Sequence, residues 1–382
     1  MKEELPDSAE AGAKLEEVVV RVDGKKLGQS PLVPRMGYKE TPLDDRVWYT
    51  VKGFSSRRQV GRGMILTITL NAAVARTLVV PSLTLGHRHR APESMTLAGG
   101  KGVNVARSLR TLDVPVLAAG FAGGRNGDAI RDGLSEAAIP FDLVEIEGHS
   151  RTSTAIVDPM AGTQTEINEY GPAVIPAEAK EFSRRLEHLM EYATAVVFAG
   201  SVPPNLDESF LVGLVRRARE RGLYTVVDSP PSVLRAALKA GPSLVSPNQH
   251  EAESVVGFDF IEEGDFPLGL SRLVEFGVAD ACITSPEGHS YLTTENGIVC
   301  AQAPNVEAVS TIGSGDAYLA GLLAGLLHRN LSPVDAVRLA AGCAAANAET
   351  LGAGLFESRR AEELAETVEV TLLSPSLEES RR

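Results

Sequence analysis

The sequence predicts an α/β fold with a mostly parallel sheet covered by helices on both faces, and three observations predict it. Strand-like and helix-like segments alternate from residue 64 onward, which implies right-handed crossovers. The alternation opens on a clean strand pattern, Met64-Ile65-Leu66-Thr67-Ile68-Thr69-Leu70. It closes on two long helices, about 316–328 and 334–350. Between these ends the order reads strand 114–119, helix near 128–138, strand 195–199, helix 208–221 and strand 224–228. A short strand at 243–246, a helix at 268–276 and a strand at 281–284 follow. The last helix carries a start signature, Ser332-Pro333-Val334-Asp335, with a cap, proline in the first position and an acid in the third.

Two stretches break the rhythm. Residues 76–98 and 150–170 are polar and alternate as strands do, so they predict a small sheet standing off the main one. Residues 1–63 mix charge, Gly and Pro with short apolar patches and read as a poorly structured or peripheral extension. The domain proper is expected over 64–358, and 359–382 as a charged C-terminal tail holding a peripheral helix and a loose end.

Composition narrows the function classes. The chain has 382 residues, enough for one large domain with appendages. A formal net charge of −13 argues against a nucleic-acid or anionic-membrane binder, so an anionic substrate would need a local basic island. Three cysteines with no CxxC pair indicate neither a disulfide framework nor a zinc site. With no apolar leader pattern and no run of membrane-spanning length, the expected location is cytoplasmic.

Four segments carry candidate chemistry. In Thr311-Ile312-Gly313-Ser314-Gly315-Asp316-Ala317, two glycines permit a turn whose amides converge at the start of an apolar helix. Such a helix start binds anions, and Asp316 beside it is placed to take a proton from a hydroxyl. The plain alternative is a helix cap after a glycine turn. In Leu97-Ala98-Gly99-Gly100-Lys101-Gly102-Val103-Asn104, glycines bring backbone close to a ligand and Lys101 adds positive charge, without a Walker A loop. In Pro247-Asn248-Gln249-His250-Glu251, Asn248 and Glu251 are spaced to face one point. That suits magnesium, and equally an N-cap with a capping-box glutamate. Arg151 lies among hydroxyls, which suits phosphate recognition.

Together with Thr165-Glu166-Ile167-Asn168-Glu169 and Gly200-Ser201-Val202-Pro203-Pro204, these motifs occur in an order that resembles the ribokinase-like (PfkB-type) carbohydrate kinase family. The likeness is strongest to its 1-phosphofructokinase and tagatose-6-phosphate kinase branch and runs from Met64 to about Phe356. The resemblance implies a three-layer αβα sandwich with a β-lid over 76–98 and 150–170, and a homodimer joined through that lid. It implies ATP and Mg2+ with a sugar phosphate, fructose 1-phosphate first, then tagatose 6-phosphate or fructose 6-phosphate. Asp316 would be the general base, with Gly313, Ser314 and Gly315 as the anion hole. Gly99, Gly100, Lys101, Asn104 and Arg151 would bind the sugar phosphate. Asn248 and Glu251 would hold magnesium, and Thr284, Ser285, Gly288 and Asn347 would line the nucleotide.

Three departures from the family pattern stand out. Ala75 replaces the aspartate that holds sugar hydroxyls, a loss of ~1.5–3 kcal/mol or about tenfold to a hundredfold in rate or affinity. Ser153 stands where the branch often has Asn. Thr284-Ser285-Pro286-Glu287-Gly288 is one residue short and loses an amide at Pro286. The alternatives they leave open are a sugar-phosphate-binding regulator on the same fold, or a kinase for a different sugar.

Overall fold

The computed structural model describes residues 17–22, 25–31 and 64–373. The chain divides into two units, Met1–Gln59 and Val60–Arg382. In the first, β1 (Glu17–Val22) pairs antiparallel with β2 (Lys25–Pro31). The rest of the expected extension, 1–63, lies outside the described residues.

The second unit begins with β3 (Met64–Thr69), β4 (Ala73–Val79), β5 (Glu93–Gly99), α1 (Lys101–Thr111) and β6 (Val116–Ala122). It continues through α2 (Gly124–Glu136), β7 (Phe141–Glu145), β8 (Arg151–Asp158), β9 (Thr163–Asn168), α3 (Pro176–Leu189) and β10 (Ala193–Ala199). Next come α4 (Glu208–Glu220), β11 (Tyr224–Asp228), α5 (Pro231–Leu238), β12 (Leu244–Val245), α6 (Gln249–Val256) and α7 (Asp265–Glu275). The unit ends with β13 (Asp280–Thr284), β14 (His289–Thr294), β15 (Gly297–Gln302), α8 (Ser314–Leu323), α9 (Pro333–Ala348), α10 (Ser358–Ala365) and β16 (Glu369–Leu373).

A 10-stranded sheet in the order β16-β15-β14-β13-β12-β11-β10-β3-β6-β7 forms the middle layer. It is parallel from β7 to β13, and β14, β15 and β16 add antiparallel to its far edge. Strand side chains alternate between faces. Ile65, Val197 and Val226 pack into a core under α1, α8 and α9, while Leu66, Val196 and Val227 pack into a second core under α3, α4 and α5. Every residue of β3 is buried, as a strand covered on both faces requires. Each Leu or Ile so buried contributes roughly 1.5–3 kcal/mol.

A separate 4-stranded sheet runs β5-β4-β8-β9, with β4 and β8 parallel and both outer pairs antiparallel. It begins three residues earlier than the expected segment, at Ala73. Asp158 ties its two loops together, accepting from the N–H groups of Ser82, Leu83, Met160 and Ala161.

The expected tail is corrected in part. Residues 358–365 form α10, which packs Ala361 and Leu364 into the core, and β16 pairs with β15 as the sheet's edge strand. Of the tail, residues 374–382 lie outside the described residues. The apolar spacing of α10 is short and interrupted by charge, and packing against α9 supplies its stability. No helix among the described residues is long and apolar enough to cross a membrane.

Candidate active site

The parallel strands end along one edge of the sheet, where open α/β sheets gather their chemistry. Asn71 follows β3, Gly200 and Ser201 follow β10, Asp228 closes β11, and Asn248 follows β12 and bridges to Thr284 at the end of β13. The starts of α1 and α8 face the same edge.

Asp316 lies in the first turn of α8, 6% exposed, and its Oδ2 accepts from Asn104 Nδ2 at 2.8 Å. Burial, reinforced by the Asp228 carboxylate, raises its pKa to about 7, against the pull of Lys101 and Asn104. Gly313 caps α8 in the left-handed region at φ 79°, and a Cβ there would come within 2.5 Å of Ala353 Cβ. Ser314 N donates to the Thr311 carbonyl at 3.1 Å, and Ser314 Oγ accepts from Asn347 Nδ2 at 3.2 Å, so its amide closes the turn. The N–H groups of Gly315 and Asp316 donate to no acceptor among the described residues, and a Cβ on Gly315 would meet only open space. The helix start therefore presents two free amides over an open volume.

Lys101 opens α1 after Gly100. At Gly100 a φ of 107° and the close approach of Thr69, whose Cγ2 would lie 2.6 Å from a Cβ, admit no side chain. The Lys101 Nζ donates to Asp228 Oδ1 at 2.6 Å and to Glu251 Oε1 at 3.2 Å. Burial would lower its pKa, but these carboxylates and Asp316 outweigh that and hold the ammonium charged well above its ordinary value. Lys101, expected to contact the sugar phosphate, is ion-paired here with two carboxylates. Asp228 is the residue that sequence reasoning missed. The signal was available, since an aspartate at the carboxyl end of a parallel strand points into the binding crevice.

Asn248 and Glu251 form a reciprocal capping box on α6: Glu251 N donates to Asn248 Oδ1 at 2.9 Å and Asn248 N to Glu251 Oε2 at 3.1 Å. Burial raises the Glu251 pKa, with Lys101 opposing. The cap takes one lone pair of the Asn248 oxygen and of Glu251 Oε2, and Asp228 lies beside them, converging with Glu251 on the Lys101 ammonium. Two carboxylates fit a metal that keeps most of its waters.

Gly99 packs against Ala75, with no room for a Cβ. Ala75 pairs with Ser153, and Ser153 Oγ donates to Asn168 Oδ1 at 2.5 Å across the small sheet. Arg151 starts β8, where Nε donates to the Asn71 carbonyl at 3.1 Å and Nη1 to the Glu169 carbonyl at 3.1 Å. It borders an open cavity of ≈ 660 Å³ with His149 and Tyr170. Thr284, Ser285 and Gly288 make the β13–β14 turn, in which Gly288 N donates to Ser285 O at 3.1 Å. Asn347 does not join them. It is fully buried, donating to the Ile312 carbonyl at 2.9 Å and accepting from Gly354 N at 2.7 Å. With its amide engaged on both sides, it braces the turn before α8.

A family model for the pfkB family carbohydrate kinases matches residues 68–359. The 1-phosphofructokinase of Bacillus subtilis is 31% identical over 297 residues, which is 77% of this chain and 96% of that protein. The tagatose-6-phosphate kinase of Staphylococcus epidermidis is 29% identical over 269 residues, 70% of this chain and 86% of that protein. Among solved structures, one described as a possible 1-phosphofructokinase from Thermotoga maritima is similar with a TM-score of 0.75 at 26% identity, covering 81% of this chain and 100% of that one.

Proposed function

Because the chain belongs to the pfkB family of carbohydrate kinases, we propose that it transfers the γ-phosphoryl group of ATP to a hydroxyl of a phosphorylated ketohexose. Fructose 1-phosphate is the first candidate, tagatose 6-phosphate or fructose 6-phosphate the next. The observation that carries the reading is the buried Asp316 at the start of α8, beside two amides without acceptors among the described residues.

Phosphoryl transfer asks mainly for positioning and charge stabilisation. Asn104 holds Asp316 Oδ2, leaving Oδ1 to take the proton of the attacking hydroxyl. A pKa near 7 keeps that carboxylate basic enough to accept a proton while leaving about half of it ionised at neutral pH. The amides of Gly315 and Asp316 stabilise charge on the transferring group, which the helix dipole also favours. Lys101 brings a positive charge to the phosphates, and Arg151 reaches them from the small sheet, which acts as a lid. Asp228 and Glu251 would hold magnesium through water, and the ion, when bound, neutralises phosphate charge.

Asp316→Asn is expected to lower turnover by at least about a thousandfold with an unchanged circular dichroism spectrum. A coupled ADP-release assay over fructose phosphates, tagatose phosphates and free sugars reads both the activity and the sugar. Near-normal turnover of the variant would refute the mechanism.

One observation favours a second reading. At Ala75 no carboxylate faces the sugar, so a regulator that binds sugar phosphate without turnover is the alternative. Sugar-phosphate binding by calorimetry, with no ADP released for any sugar in the panel, would select it.

A further inference from the structure

Arg107 lies in α1 with its side chain buried, 5% exposed, and makes no ion pair among the described residues. A buried guanidinium is costly unless its donors are met. Its donors meet three acceptors. Nη1 donates to Asn104 Oδ1 at 3.2 Å and to the Ala353 carbonyl at 2.9 Å, and Nη2 donates to the Ala98 carbonyl at 2.5 Å.

Each acceptor belongs to a different wall of the site. Ala98 immediately precedes Gly99 and Gly100. Ala353 is the residue on which Gly313 packs. Asn104 donates to Asp316. The contact to Asn104 also has a chemical consequence. An asparagine amide has two orientations, and turning it over would aim Oδ1 at the Asp316 carboxylate, acceptor against acceptor. A donor on Oδ1 allows only the orientation in which Nδ2 faces Asp316.

We propose that Arg107 is a positioning residue for the transfer. It locks the Asn104 amide toward Asp316 and ties the glycine loop before α1 and the turn before α8 to that carboxylate. The inference rests on Asp316 acting as the base. Other charged groups also face Asp316: Lys101 at the start of α1, Asp228 at the end of β11 and Glu166 on β9. Arg107 is coupled to it electrostatically as well, although burial lowers the guanidinium pKa to about 10. At neutral pH it remains a cation, so removing it leaves Asp316 easier to protonate.

The test uses the full chain and measures kcat, KM and thermal midpoint from pH 5.5 to 9 for wild type, Arg107→Lys, Arg107→Met, Asn104→Leu and Asp316→Asn. Arg107→Met is expected to lower kcat about 10–100-fold with a smaller change in the KM for ATP. Its acid limb should move up by roughly half to one pH unit. Arg107→Lys keeps the charge and should hold the limb near its wild-type position while recovering part of kcat. Asn104→Leu removes the relay but leaves Arg107 its two carbonyls, and should also move the limb up. This variant carries the test if Arg107→Met does not fold. The inference is overturned if Arg107→Met, or Asn104→Leu in its place, keeps the wild-type limb while Asp316→Asn is inactive; the base assignment then survives. Turnover by Asp316→Asn would remove the base assignment and this inference with it.

Discussion

At the scale of the residue, Asp316 sets a conflict between stability and chemistry. Its folded pKa, about 7, lies above the ordinary carboxylate value of 3.8 because burial and Asp228 disfavour the anion. A raised folded pKa means that the favourable contribution is complete below the unfolded value and is lost as pH rises through about 7. Activity runs the other way, since the base must be ionised. Turnover should therefore fall as pH drops below about 7, while Asp316→Asn should melt above wild type at pH 8 and lose that advantage toward pH 5. Differential scanning fluorimetry across pH checks the stability half. Lys101 makes the complementary case. Lys101→Met strands Asp228 and Glu251 beside each other, and an expected loss of about 2–3 kcal/mol, discounted for the lysine's partial exposure, is measurable by urea unfolding. Acidification, which neutralises Glu251 with its raised pKa, should relieve part of that loss.

At the scale of the element, α8 is a helix whose start is open above Gly315, which suits the proposed anion site. Gly315 has no packing reason to be glycine, since a Cβ there meets nothing. Gly315→Ala should hold or raise the thermal midpoint, as alanine gains roughly 0.5–1 kcal/mol over glycine in a helix. It should weaken ATP use through KM or kcat, and a variant with unchanged kinetics would argue against the amide cradle. α9 contributes Asn347, whose amide braces the turn before α8. Asn347→Ala should cost both midpoint and kcat, without the selective rise in KM for ATP that an adenine contact would give. These elements differ in how far the sequence announced them. The span 224–228 matches β11, and Ser332-Pro333 marks the start of α9, because strand propensity and a cap are local signals. Helices α3 and α5 have no counterpart among the predicted elements, although each opens with proline at its first position. The amphipathic face of each acquires meaning only against the sheet. Along 324–328 the ladder shifts to π spacing, which the continuous apolar pattern conceals.

At the scale of the whole molecule, the candidate site residues all fall in the second unit. Ten strands carry the site at the carboxyl ends of the parallel ones, and the 4-stranded sheet adds Arg151 and the row Ala75–Ser153–Asn168. A chain beginning at Met64 should fold with the same midpoint and turn over with the same kcat as the full chain, checked side by side by calorimetry and the ADP-release assay. A truncated chain that fails to fold or loses kcat would give residues 1–63 a part in the kinase.

The sequence by itself determined the fold class, the family likeness and the set of segments that meet at the site. These rest on information carried within short stretches: the alternation of strand and helix, glycines where the backbone must approach, and a carboxylate at a helix start. Tertiary structure alone decided the partners. It paired Lys101 with Asp228 and Glu251, residues 127 and 150 positions away. It engaged the Ser314 amide and Asn347 in the turn before α8, and it set Arg107 behind Asn104 and Asp316. Local sequence states which groups a residue carries. Which of them remain free for a substrate depends on hydrogen-bond partners and burial that long-range packing supplies, and the pKa of Asp316 depends on the same packing.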